Sequence, residues 1–281
     1  MAAALHDGMR RARVGAALRR GGARLCDVRR SQQTQNLAER HDRRAPPAAV
    51  IVLVNHSRLL PQSDLEPIAV ACTQQLGADF GPAYHRRSRT VHARTPRELA
   101  ACVAAGMRPR VVSFFDHADQ ADALGWHTKS PEGLVYSRVF MGPILAANGT
   151  TTEGDISASV TCSHEILEME LDPGCNLWVK GYGDDFWAFE PCDPVEASSY
   201  RSASVSVSNF VCPGWWDASE KIGAQFDFLG HLSAPFALEA GGYAVKRSDG
   251  VSSQIFGAAY PEWRKASKSH PVARTARRLA V

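Results

Sequence analysis

Four consecutive apolar residues, Ile51-Val52-Leu53-Val54, open the patterned part of the chain; three of them are β-branched, which predicts a short strand buried on both faces. Ser63-Asp64-Leu65-Glu66 carries an N-cap signal, and Ile68, Ala69, Ala71, Cys72 and Leu76 continue at helical spacing, so an amphipathic helix is predicted that ends near Gly77. Thr90-Val91-His92-Ala93 predicts a second strand, 96–105 a helical insertion, and the run from Arg110 through Phe115 a third strand. Residues 133–141 alternate apolar with polar and predict a fourth strand. As the sheet edge beside the next helix, its open backbone would pair with an extended peptide. Strand, helix, strand, strand is the opening of a mixed three-layer α/β domain. After a flexible connection over 146–156 and one further helix, Phe186-Trp187-Ala188-Phe189 predicts an aromatic strand, 203–211 β structure, 226–236 irregular wall structure and 241–245 a last strand. The aromatic concentration between 186 and 236 reads as core.

The further helix breaks the simple pattern of apolar face and polar face. Over 160–171 the residues Leu167 and Leu171 form an apolar stripe, while His164, Glu168 and Asp172 fall on the adjoining one. An imidazole and a carboxylate one turn apart can share a divalent metal ion, and Glu165 lies beside them in position to hold a water. The pattern is that of a zinc-hydrolase helix, H-E-x-x-H, with the second histidine replaced by Glu168. The competing reading of the same residues is a surface helix whose carboxylates face water. Ile166, Leu167 and Met169 interleaved with the charges, the stop at Asp172-Pro173 and the acidic residues Glu190 and Asp193 downstream favour the metal. Asp172 lies a full turn beyond Glu168 and reads as a helix-end anchor.

Charge divides the chain. Residues 1–44 carry 11 Arg, no Lys and 4 acidic residues, and 264–281 carry 6 basic and no acidic ones, leaving 45–263 with a formal charge of −10 within an overall +3. An acidic middle does not suit a nucleic-acid-binding core, so no sequence-specific nucleic-acid partner is expected, although the basic tails would hold polyanions weakly. No run of 18 apolar residues is present, so no membrane span is expected. Seven cysteines without a CxxC pair exclude a thiolate zinc knuckle and a complete disulfide framework; Cys72, Cys102 and Cys162 read as small buried hydrophobes, and a cytoplasmic location is expected. The acidic stretch 116–122 lacks the glycine and distal glutamate of an EF-hand and reads as a loop over a cleft. No G-x-S-x-G elbow supports a serine hydrolase.

The string Val160-Thr161-Cys162-Ser163-His164-Glu165-Ile166-Leu167-Glu168 with Asp172-Pro173 resembles a group of bacterial and phage proteins similar to zincin-type metallopeptidases that carry an H-E-x-x-E helix. Further blocks extend the resemblance over about 50–245: the segment from Asp116 to His127, Pro131-Glu132-Gly133, Val139-Phe140, Glu190-Pro191-Cys192-Asp193-Pro194-Val195-Glu196, Val207-Ser208-Asn209-Phe210-Val211 and Gly241-Gly242-Tyr243. It implies an α/β (α+β) zincin-like fold. A mixed twisted sheet from strands near 50–55, 90–93, 110–116 and 135–141 would lie over the active-site helix, with an irregular C-terminal subdomain. The expected divisions are a zincin-like N-terminal subdomain 48–173 with the metal-binding helix and a C-terminal subdomain 174–263 supplying a further ligand, with a basic disordered extension 1–47 and a basic disordered tail 264–281 outside the resemblance. The resemblance also implies zinc held by His164, Glu168 and a downstream carboxylate, with Glu190 the first choice and Asp193 the second. Glu165 would be the general base of peptide-bond hydrolysis. Two carboxylates and one imidazole bring two formal negative charges to the ion, which tempers its acidity and makes manganese acceptable. The expected partner is a peptide or protein substrate. The alternative is a noncatalytic phage-derived structural or peptide-binding protein that keeps the fold.

Overall fold

The computed structural model describes residues 50–269 apart from 88, 121, 122, 221 and 222, with no side chains described for 266–269; the expected basic extension 1–47 and the end of the basic tail lie outside the described residues. β1 (Ile51–Asn55) is followed by α1 (Leu65–Gln74), which runs on through a π-helical segment, Gln75–Phe80, into the short α2 (Gly81–Tyr84). β2 (Val91–Arg94), α3 (Pro96–Ala104), β3 (Arg110–Phe115), β4 (Gly125–Lys129), β5 (Val135–Phe140) and α4 (Met141–Ala146) follow, and then the long α5 (Ala158–Leu171). β6 (Trp178–Lys180), β7 (Phe186–Ala188), β8 (Ser199–Ser202), β9 (Val205–Ser208), β10 (Tyr243–Ser248), β11 (Val251–Phe256) and α6 (Glu262–Ser269) complete the order. α6 thus covers the first residues of the stretch expected as a disordered tail.

The first sheet has the order β2-β1-β3-β5-β4, with β1, β2, β3 and β5 parallel and β4 antiparallel to β5. The apolar run in β1 is central and buried on both faces, as its composition requires. Crossovers β1–α1–β2 and β2–α3–β3 run in opposite directions across the sheet, and right-handed connections then put α1 and α3 on opposite faces. α3 starts on a full capping box, in which Thr95 and Glu98 satisfy each other's backbone donors.

The edge differs from the expectation. β5, the 133–141 stretch, is interior between β3 and β4, and the edge beside α5 is β4. The segment after the acidic loop, Gly125–Lys129, is therefore a strand. Phe140 N donates to Leu124 O and Ser130 N to Leu134 O, both at 2.8 Å, so the even-numbered residues between them exchange bonds with β5. Gly125, His127 and Lys129 turn their backbone groups the other way.

A second, antiparallel sheet has the order β11-β10-β7-β6, and the β8–β9 hairpin lies against α5 and α1. One apolar core joins these layers, from Ile51 and Leu53 to Trp187, Phe210, Trp215, Trp216 and Phe236, so the aromatic stretch is core. Tyr84 Oη donates to Val211 O at 2.6 Å and accepts from Trp216 Nε1 at 3.0 Å, tying α2 to the aromatic wall. Of the cysteines expected in the core, Cys72 and Cys162 are buried free thiols, whereas Cys102 on the outer helix α3 is only half-buried.

Candidate metal centre

Every residue of α5 is buried, so the helix is no solvated surface element. A helix with this many polar side chains stays buried only if each finds a partner. Ser157 caps the N-terminus, its hydroxyl accepting from Val160 N at 3.2 Å. Ser163 Oγ accepts from Ser208 N at 2.7 Å, which fixes β9 against the helix. On the side toward β2 and β3, Glu170 receives Arg89 Nε at 2.7 Å and Arg110 Nη1 at 2.6 Å. Asp172 ends the helix and its carboxylate accepts from Asn176 N at 2.9 Å and Leu177 N at 2.8 Å, which is the anchoring role expected of it.

The remaining polar residues of α5 converge. His164 Nε2 lies 3.1 Å from Glu168 Oε1, one turn along the helix, and 3.3 Å from Asp193 Oδ1. Asp193 arrives on the 3-10 turn Asp193–Val195 that follows β7. Backbone packing holds that turn: a Cβ on Gly242 would stand 2.0 Å from Pro194 O, so only glycine lets the start of β10 approach it. Glu190 comes from the same connection but reaches a different neighbourhood. One of its carboxylate oxygens groups with donor atoms of His127 and Cys175, all within 4.8 Å of one another.

His127 was not singled out by the sequence as a site residue. It projects from β4 toward α5 and is fully buried. Its Nδ1 lies 3.0 Å from Glu165 Oε2 and 3.5 Å from Glu168 Oε2, and its Nε2 lies 3.0 Å from the Asp172 carbonyl oxygen. Cys175 Sγ stands 3.1 Å from that same Nε2 and 3.2 Å from the His127 carbonyl oxygen. The period-two alternation of Gly125, His127 and Lys129 with Trp126 and Thr128 was the available signal, obscured by the short length of the strand.

The carboxylates set the electrostatics. Burial alone would lower the His164 pKa, but Glu168 and Asp193 outweigh it, and Glu165 adds to them, so the pKa lies well above its ordinary 6.5. Burial, joined by the charge of Glu168, pushes the Cys192 thiol well above its ordinary 9.0, which keeps this sulfur protonated although it lies near His164 and Glu168.

Buried His, Cys and Glu groups thus lie close enough to chelate a metal ion: His164, Glu168 and Cys192 form one such group, His127, Glu165 and Glu168 another, and His127, Cys175 and Glu190 a third. The chemistry of the set fits a divalent ion. Two donors each bonded at about 2.0–2.2 Å to a common ion stand about 3–3.5 Å apart, which is the spacing that His164 keeps to Glu168; Asp193 Oδ1 approaches the same imidazole nitrogen at 3.3 Å. Comparison with protein-family models, with curated proteins and with solved structures finds no match for this chain. The functional reading therefore rests on the geometry. Among the described residues no helix is long and apolar enough to cross a membrane.

Proposed function

We propose that the chain is a metal-dependent peptide-bond hydrolase with a zincin-like fold, holding a zinc or manganese ion through His164, Glu168 and Asp193. The observation that carries this is the convergence of Glu168 Oε1 and Asp193 Oδ1 on His164 Nε2 at 3.1 and 3.3 Å. Of the two downstream candidates, Asp193 has the better claim to the third position, because Glu190 groups with His127 and Cys175. A mixed sheet with an antiparallel edge strand alongside an H-E-x-x-E helix supports the zincin-like reading.

A divalent ion held by these residues supplies Lewis-acid activation of a water and of the scissile carbonyl. Glu165, next to His164 in the chain, takes the proton of the attacking water as the carbon–oxygen bond forms and passes it to the departing amine. His127 Nδ1, 3.0 Å from Glu165 Oε2, fixes the direction of that carboxylate. The outward backbone of β4 at Gly125 offers an extended peptide a place to pair, while the next outward carbonyl, that of His127, already accepts from the Cys175 thiol at 3.2 Å.

The test is metal content together with peptide hydrolysis on the full chain. The parent is expected to hold zinc or manganese and to cleave. Glu165→Gln should keep the metal and lose cleavage, and Asp193→Asn should lose the ion held by His164 and Glu168 where Glu190→Gln keeps that ion. A chain that takes up neither ion overturns the reading.

One observation favours a noncatalytic peptide-binding role instead. Glu165 is only 3% exposed and His164 9%, so the base has little open surface toward a water. In that case a peptide binds along β4 uncleaved, with equal affinity in the parent and Glu165→Gln.

A further inference from the structure

We propose that the chain holds a second divalent cation, of the zinc class, through His127 Nε2, Cys175 Sγ and a Glu190 carboxylate oxygen, on the side of the His127 ring that faces away from Glu165. A ring nitrogen of His127, Cys175 Sγ and a Glu190 carboxylate oxygen lie within 4.8 Å of one another, with Sγ and Nε2 3.1 Å apart. The carbonyl oxygen of Asp172, 3.0 Å from Nε2, offers a fourth donor. None of these four belongs to the set His164, Glu168 and Asp193, so the two sites are independent in their ligands. This inference stands even if the hydrolase reading fails.

The donor chemistry selects the cation. Nitrogen, sulfur and carboxylate oxygen together suit zinc or cobalt, whereas magnesium and calcium require oxygen shells. The chain also places the thiol at a cost. Cys175 adopts a left-handed backbone with φ of 51°, directly after Gly174, which would bear that conformation without strain. The turn that imposes it, closed by Cys175 N donating to Asp172 O at 3.0 Å, aims Sγ at the His127 ring. The ligands come from β4, from the turn after α5 and from the connection after β7, so a cation there joins the sheet edge, the helix end and the segment that carries Asp193.

Coordination through Nε2 also fixes the tautomer of His127. The ring's remaining proton then sits on Nδ1, which faces Glu165 Oε2 at 3.0 Å and donates to it. The second cation thereby reaches the α5 carboxylate through one imidazole.

The test is titration of the full metal-free chain with cobalt(II), followed by absorption and by bound-metal analysis. Two equivalents are expected, with a near-ultraviolet thiolate-to-cobalt charge-transfer band. Cys175→Ser should remove the band and one equivalent, and His127→Asn should do the same. Cys192→Ser should leave both, and His164→Asn should remove one equivalent but leave the band. Near-ultraviolet circular dichroism of each variant reports its fold. No thiolate band in the parent, or a band that survives Cys175→Ser in a folded protein, overturns the proposal. A thiolate band that persists while His164→Asn changes nothing sinks the first site and leaves the second standing.

Discussion

His127 Nδ1 and Glu165 Oε2, from the sheet edge and from the middle of α5, stand 3.0 Å apart inside the protein, and neither group meets bulk water. The imidazole therefore acts on the carboxylate as an orienting partner. Loss of such a supporting residue typically costs metal affinity or activity about 10–100-fold. His127→Ala is expected to fall in that range, with the loss in kcat rather than KM. His127→Gln, which still offers a donor, should recover part of the loss. Steady-state peptide hydrolysis checks this.

The carboxylates around His164 make the metal-free protein sensitive to pH in a definite direction. The folded-state pKa is raised above 6.5, so the protonated ring stabilises the fold fully below that pH. The contribution is lost as pH rises through the raised value. Urea denaturation in the presence of a chelator should show stability falling from pH 6.5 upward, and His164→Asn should flatten that slope. A cation competes with the same proton, so metal binding should tighten as pH rises.

Glu170 sits on the opposite side of α5 with Arg89 and Arg110, whose side chains are only 14% and 12% exposed. Removing its charge leaves two guanidinium groups in a largely dry environment. Burial already lowers the Arg110 pKa, against the pull of Glu170. Glu170→Gln is expected to destabilise the protein by roughly 3 kcal/mol, with metal affinity unchanged in the folded fraction. Denaturation midpoints together with metal titration separate the two effects.

How much of this was legible in the chain follows the range of the interactions. The spacing of His164 and Glu168 is local to one helical turn, so the sequence predicts their meeting, and the continuous apolar run of β1 predicts a central strand. The position of β5 was not local. Its alternation, with Tyr136 and Arg138 on one side and Ser137 on the other, suits an edge strand, but β4 pairs outside it and moves the edge. Nor does periodicity reveal that α5 is buried all round, since its carboxylates meet Arg89, Arg110 and His127 from other strands and loops. His127 lies 38 residues from Glu165 along the chain, and only the fold brings them together.

The closeness of β4 to α5 depends on Gly125. A Cβ at this position would lie 2.6 Å from Thr161 Cγ2, 3.1 Å from Arg138 O and 3.3 Å from Glu165 Oε1. The first contact is well inside van der Waals distance, so Gly125→Ala must push the strand from the helix or turn the Thr161 side chain. Thr161 resists turning because its hydroxyl donates to Ser157 O at 3.0 Å. Overpacking of this kind costs about 1–3 kcal/mol, and here the displacement also draws His127 away from Glu165. The variant is therefore expected to lose both stability and whatever depends on that pair. Thr161→Ser removes Cγ2 while keeping the hydroxyl, so adding it to Gly125→Ala should restore much of the loss. Combining the two changes in a double-mutant cycle of unfolding free energies should give a favourable coupling of about 1 kcal/mol or more. Additive effects would mean that the strand and the helix do not press on each other at this point.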